Sequence, residues 1–187
     1  RIVAIKVYDL HRRIEERDSC EAYIRQRAQA ARTLSHCGIL KILDIGEQEQ
    51  SGAPYIVTEF AAGESLEQLI AEGKKFTPES AFVITTELLE ALSYSHSHGV
   101  THLNLKPSNV LIDPAGHVKI ADFGGVRLGN ASTFLSPEQL EGAGDARSDL
   151  FSVGVILYLL LSGYRPFQGS SDATISFKLV HQRPVPV

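Results

Sequence analysis

The chain opens with an alternation. Residues 1–9 vary with the period of a strand around VAIKV. Residues 13–34 are rich in Arg, Glu, Gln and Ala, with Ile14, Ala22, Ile24 and Leu34 among the apolar positions. That pattern predicts a helix that is polar on most faces. Two short strands follow at 40–47 and 54–60, with EQSG between them as a hairpin turn. From Gly63 the character changes. SLEQLIAEG predicts one short helix, and TPESAFVITTELLEALSYSHSHG a long amphipathic one. Thr77 is its N-cap, Pro78 its first residue, and Gly99 closes it. Thr77 with Ser80 makes no capping box, so the start rests on the cap and the proline.

Beyond Gly99 lies THLNLKPSNVLID, then a small hairpin over VLIDPAGHVKI with a Pro-Ala-Gly turn, then a loop. SPEQLEG starts a short helix. SDLFSVGVILYLLLSG is apolar on almost every face, so it belongs in the middle of a larger lobe. Ser170 to His181 predicts a final helix. The composition break near Glu59–Gly63 divides the chain into residues 1–61, strands plus one helix, and 62–187, mostly helices. There is no internal repeat and no low-complexity segment.

Composition narrows the classes. The chain has 187 residues, 43% hydrophobic and 21% charged, which fits a globular protein and excludes a disordered one. A net charge of −4 leaves no basic excess for nucleic acid. Cys20 and Cys37 make neither a metal spacing nor a disulfide framework, and they fit a reducing, cytoplasmic setting. The longest apolar run, Phe151 to Leu161, is too short to span a bilayer, so no membrane contact is expected from this segment. There is no methionine, and the sequence starts and stops in mid-pattern. The expectation is a piece excised from a larger protein, with exposed apolar surface and poor solubility alone.

Several short motifs then occur in one order. VAIK spans Val3–Lys6, and Thr58-Glu59-Phe60-Ala61 ends a strand at the lobe boundary. H-x-x-x-K-P-x-N falls on His102, Lys106, Pro107 and Asn109. Asp122-Phe123-Gly124 follows the hairpin, Ser136-Pro137-Glu138 starts a helix, and Asp149 begins the apolar helix. Each motif is weak alone, but together and in this order they resemble the eukaryotic-like protein kinase family over essentially the whole chain. SPEQL and RSDLFSVGVILYLLLSGYRPF are most similar to its bacterial serine/threonine branch. The resemblance implies an α+β fold of two lobes, truncated at both ends: a small β-rich N-lobe with one helix and a mostly helical C-lobe.

It also implies roles. Lys6 would contact the phosphates of ATP; a lysine between apolar neighbours in a strand is costly unless paired or facing an anion, and the bland alternative is an edge lysine facing solvent. Ala4 and Leu111 would sandwich the base, Thr58 would border the back of the pocket, and Glu59 and Ala61 would offer backbone groups at the hinge. Lys106 would approach the γ-phosphate. Asn109 and Asp122 would hold Mg²⁺, an ion that takes oxygen ligands; a turn residue and a cap are the plainer readings. His102 would be a buried structural histidine. Glu138 matches an acid that anchors the substrate-lobe loop. Asp149 would hold the loop backbone, or serve as an N-cap or first-turn acid.

Departures from the family pattern point the other way. Asn104 stands where the family has the aspartate that takes the substrate hydroxyl proton, and a carboxamide has no useful basicity. Leu103 replaces the arginine that reads a loop phosphate. Arg27 stands where a glutamate would hold Lys6, and a like charge repels a lysine. Glu21, six residues earlier, falls about 120° off the required helix face. Only Gly125 to Leu135 separates Gly124 from Ser136, and Asn130-Ala131 replaces Gly-Thr. The expected function is a pseudokinase-like domain. It would bind ATP and Mg²⁺ weakly and act as an allosteric or scaffolding module with other domains of its parent and an unidentified protein partner. An active kinase tolerating Asn104 and a nucleotide-free interaction domain remain the alternatives.

Overall fold

The computed structural model describes residues 2–8, 17–123 and 132–187. Strand β1 (Val3–Val7) leads to helix α1 (Arg17–Arg32) and then to strands β2 (Ile42–Glu47) and β3 (Pro54–Glu59). The three strands form an antiparallel sheet in the order β1-β3-β2. Among the described side chains of α1, the buried ones are Ile24, Ala28 and Ala31. Spacings of four and three put them on one stripe, so this polar helix packs through a single narrow face. Arg25 of α1 also pairs with Glu47 on β2.

The helical part begins with a two-residue strand, β4 (Glu64–Ser65), which the sequence pattern did not suggest. It pairs with β5 (Val110–Ile112), which pairs in turn with β6 (Val118–Ile120). Gly63 makes the approach to β5 feasible, because a Cβ there would lie 2.3 Å from the Ile112 carbonyl oxygen. Helix α2 (Leu66–Ala71) starts with a capping box between Ser65 and Gln68. Helix α3 (Pro78–Ser97) is capped by Thr77, whose hydroxyl accepts from the Ser80 N–H, with Pro78 at the first position, as its sequence predicts.

Helices α4 (Pro137–Leu140), α5 (Ala146–Ser162) and α6 (Asp172–His181) complete the chain. Asp145, not Asp149, is the N-cap of α5. The buried residues of α5, Ser148, Asp149, Ser152, Val153, Val155, Ile156, Leu159 and Leu160, fall on one broad face, so the helix is less enclosed than its almost uniform hydrophobicity predicts. Apolar side chains also reach the surface: Ile5 and Val7 on β1, Leu150 and Leu161 on α5, and Phe177 and Val180 on α6 are exposed.

The small antiparallel sheet with one helix and the larger helical part form two lobes of mixed α+β class, as the sequence predicts. Two backbone seams join them. Leu40 N–H donates to the Ile120 carbonyl at 2.9 Å, and Ile120 N–H donates to the Gly38 carbonyl at 2.8 Å. Among the described residues, no helix is long and apolar enough to cross a membrane.

Candidate active site

Alternation along β1 puts Ala4, Lys6 and Tyr8 on one face. Their register partners across the antiparallel ladder extend that face, with Thr58 opposite Ala4 and Ile56 opposite Lys6. Below it lie Asn109, Leu111, Ala121, Asp122 and Phe123. Together with Leu40 and Ile42 these residues enclose a cavity of about 260 Å³. Of the residues singled out in the sequence, Ala4, Lys6, Thr58, Asn109, Leu111 and Asp122 therefore meet. Glu59 and Ala61 lie beyond Thr58 and do not line the cavity; the Glu59 carboxylate pairs with Lys119 at 3.0 Å.

In the lining of the cavity, Lys6 Nζ donates to Asp122 Oδ2 at 2.6 Å, and the Tyr8 hydroxyl donates to Asp122 Oδ1 at 3.1 Å. The lysine side chain is 50% exposed and the aspartate 8%. Burial, and then the Asp122 charge, push the Tyr8 phenol far above its ordinary range, so it stays a donor. The sequence reading gave Tyr8 no role. The signal was available, since Tyr8 is two residues from Lys6 and a strand puts such residues on the same side.

The 101–109 loop is held from beneath. Asp149 is fully buried, and its carboxylate accepts from three donors: His102 N–H at 2.8 Å, Leu103 N–H at 2.6 Å and His96 Nε2 at 2.8 Å. Leu103 adopts a left-handed backbone with φ 58°, a conformation that costs a non-glycine residue of order 1–3 kcal/mol. Hydrogen bonds at both ends of the residue hold it there, since its carbonyl accepts from Gln139 Nε2 at 2.9 Å. His102 is wholly buried, with Nε2 donating to the Ala121 carbonyl at 2.9 Å and Nδ1 accepting from Asn104 N–H at 3.2 Å. Both ring nitrogens are used, burial holds the imidazole below its usual pKa, and Phe123 packs against it edge-on at 4.7 Å. This is the structural histidine that the loop sequence implies.

Asn109 Nδ2 donates to the Asn104 carbonyl at 2.9 Å. Because a carbonyl can only accept, the amide nitrogen is fixed on that side and Oδ1 faces the other way. Asn109 Oδ1 and the Asp122 carboxylate give a pair of oxygen ligands, a set that suits Mg²⁺ when phosphate and water complete its shell. Asp122 has a left-handed backbone, φ 67°, tolerable for an aspartate. Lys106 precedes the turn Pro107–Asn109 with extended backbone. Asn104 is half-buried and brings only its carboxamide to the loop.

Arg27 of α1 does not face Lys6 as a repelling neighbour. Its guanidinium donates to the carbonyls of Thr101 at 2.9 Å and His102 at 2.8 Å. The site-facing side of α1 thus carries a cation, and the carboxylate that Lys6 meets is Asp122. The sequence showed the loss of an acid at position 27 but not the new use of the arginine, because the acceptors are backbone atoms some 75 residues away. Glu138, expected to anchor a loop, accepts from the Ser148 hydroxyl at 2.8 Å. Gly124, Asn130 and Ala131 lie outside the described residues.

The family model described as "Protein kinase domain" matches residues 1–186. A probable serine/threonine-protein kinase of Streptomyces coelicolor is 38% identical over 184 residues, covering 89% of this chain and 27% of that protein. The probable serine/threonine-protein kinase PknB of Lactococcus lactis is 39% identical over 191 residues, covering 95% of this chain and 30% of its own length. The serine/threonine-protein kinase PknB of Mycobacterium tuberculosis is 35% identical over 203 residues, covering all of this chain and 32% of its own. The chain spans about a third of the length of these curated relatives. With the motif order, the fold and the match over nearly every residue in agreement, the chain belongs to the protein kinase family and is a partial domain of the bacterial serine/threonine type.

Proposed function

We propose that this domain binds a nucleotide with Mg²⁺ but is strongly impaired in phosphoryl transfer, and that it serves a larger bacterial signalling protein as an allosteric or scaffolding module. One observation carries the reading. The cavity keeps Lys6, Asp122 and Asn109 together in its lining, while the loop beside it offers Asn104 where a base is needed. Mg-ATP would bring the transferable phosphoryl group and its counter-charge. Lys6 would then meet the phosphates, Asn109 Oδ1 and Asp122 would meet the metal, and Ala4, Thr58 and Leu111 would line the base. A general base is typically worth about 10²–10⁴ in rate, so its loss impairs the chemistry without touching the binding groups. The binding reading implies a cytoplasmic domain whose partners are its parent's other domains and a further protein.

A nucleotide-free interaction domain is the second reading, favoured by the Lys6–Asp122 ion pair itself. It occupies the two charges that a metal–nucleotide would need, in a cavity of about 260 Å³, just under the ~300–1,000 Å³ common for ligand pockets. A thermal shift of the intact protein with millimolar Mg-ATP and Mg-ADP separates the two. A raised melting temperature supports nucleotide binding, and no shift with either nucleotide rejects it. Transfer of labelled γ-phosphate that Lys6→Ala abolishes would reject the impaired-catalysis part.

A further inference from the structure

We infer that Tyr8 is a positioning residue of the nucleotide site, holding the Asp122 carboxylate in place for a divalent cation once Lys6 has moved to phosphate. The inference rests on the nucleotide reading above. It starts from an asymmetry between the two donors on Asp122. Lys6 Nζ and the Tyr8 hydroxyl each take one carboxylate oxygen, at 2.6 and 3.1 Å. The Lys6 side chain is 50% exposed and ends in a flexible stem that can swing to an anion in the cavity. Tyr8 is 1% exposed, belongs to the main hydrophobic core, and has its backbone N–H on the Pro54 carbonyl at 2.9 Å. Its ring cannot follow the lysine.

The consequences follow from the carboxylate's capacity. Two oxygens offer about four lone-pair sites, and the two donors use one on each oxygen. When phosphate draws Lys6 away, Oδ2 is released for a cation and Oδ1 stays bonded to the phenol. The carboxylate then keeps its rotamer while its charge changes partner. Without the phenol it would lose both donors in the same step, in a place 8% exposed where water is a poor substitute. Helix α1 does not share this task through Arg27, which is engaged with the Thr101 and His102 carbonyls. The orientation of Asp122 thus comes from β1, through two residues spaced by the strand period.

Tyr8→Phe tests this, because it removes the hydroxyl and keeps the ring. The probe is a fluorescent ADP analogue titrated into the intact protein, once with Mg²⁺ and once with EDTA. Mg²⁺ should tighten binding to the wild type. In Tyr8→Phe that Mg²⁺-dependent gain should shrink by about tenfold, the lower end of the scale of one hydrogen bond to a charged group, with affinity in EDTA within about twofold of the wild type. A purely packing role would lower both affinities together, and an unchanged Mg²⁺ gain overturns the inference. If the wild type binds no probe in either buffer, the nucleotide reading fails, and the contact is judged by itself. Urea unfolding of Tyr8→Phe, Asp122→Ala and the double variant then decides. Losses that are not additive uphold the Tyr8–Asp122 contact without nucleotide, and additive losses overturn it. The backbone strain of alanine at φ 67° is common to both arms of the cycle and cancels.

Discussion

Arg27 donates to the His102 carbonyl at 2.8 Å and to the Thr101 carbonyl at 2.9 Å, so helix α1 is clasped to the loop below through backbone oxygens. The clasp matters because the buried stripe of this helix, Ile24, Ala28 and Ala31, is narrow and made mostly of small side chains. Arg27→Ala should destabilise the protein by about 1.5–3 kcal/mol, the range for hydrogen bonds to a charged group. Arg27→Glu should be worse, because it sets a carboxylate against two carbonyl oxygens. Urea denaturation midpoints give the order. An Arg27→Glu variant as stable as the wild type, with Lys6 newly paired to the introduced carboxylate, would refute the clasp.

The most buried charge should be the least dispensable. Asp149 accepts from His96, His102 and Leu103 while fully buried, and Leu103 keeps its left-handed backbone through one of those bonds. Asp149→Ala leaves three donors without an acceptor in a dry place, at a cost of about 3 kcal/mol or more. Hydrogen exchange should show the Leu103 amide losing its protection first. A variant with near-native stability and a protected Leu103 amide would show that the loop does not depend on this carboxylate.

What the sequence disclosed and what it withheld divide along physical lines. Thr77 and Pro78 declare the start of α3 because a cap and its helix are local. The apolar character of α5 was readable in its composition, but the exposure of Leu150 and Leu161 on one side of it was not. The motifs placed Lys6, Asn109 and Asp122, which do meet. The two-residue strand β4 was invisible, being too short for any period. The Lys6–Asp122 pair and the Arg27 clasp were invisible for another reason. Each joins residues far apart in the chain, and the partner of Arg27 is backbone, which has no sequence identity. Tyr8 lay in plain view, but a tyrosine in a strand is ordinarily core, and only the position of Asp122 makes its hydroxyl matter.

Stability should fall between pH 7 and pH 5 because of His102. Burial lowers its folded-state pKa, and this outweighs the Asp149 and Asp122 charges that pull it upward and adds to the effect of Arg27. The unfolded chain takes up a proton near its ordinary value of about 6.5, while the folded imidazole resists. The stability is therefore fully present above that value and is lost as pH falls below it. The carboxyls of Asp113 and Asp145, also lowered in the fold by hydrogen bonds, act only in a more acidic window. His102→Gln should flatten the slope of melting temperature between pH 7 and 5. An unchanged slope would assign it to other groups.

Lys6 should matter far more for ligand than for fold. Its pair with Asp122 is half in solvent on the lysine side, and such pairs are worth about 0–1 kcal/mol. Lys6→Ala should shift the melting temperature of the free protein by no more than a few degrees and abolish the rise produced by Mg-ATP. A large loss of stability, or an intact nucleotide shift, would show that Lys6 is structural.

Restoring the missing base alone should not restore the chemistry. Asn104 contributes its backbone to the loop frame, with N–H on His102 Nδ1 and its carbonyl taking Asn109 Nδ2. Asn104→Asp leaves both bonds available, so the fold should be nearly unaffected, within about 0.5 kcal/mol for a half-buried polar change. If the carboxylate were the one missing part, labelled γ-phosphate transfer to a generic substrate protein would rise by about 10²–10⁴. The expected outcome is much less. Leu103 gives no cation to read a loop phosphate, and Arg27 turns to the loop carbonyls instead of offering a carboxylate to Lys6. Much of phosphoryl transfer is positioning and charge stabilisation, and the absent cation and carboxylate would serve both. Asn104→Asp combined with Arg27→Glu should not rescue transfer either, because the double variant gives up the clasp. Full recovery by Asn104→Asp alone would show that a single carboxamide silences an otherwise competent site.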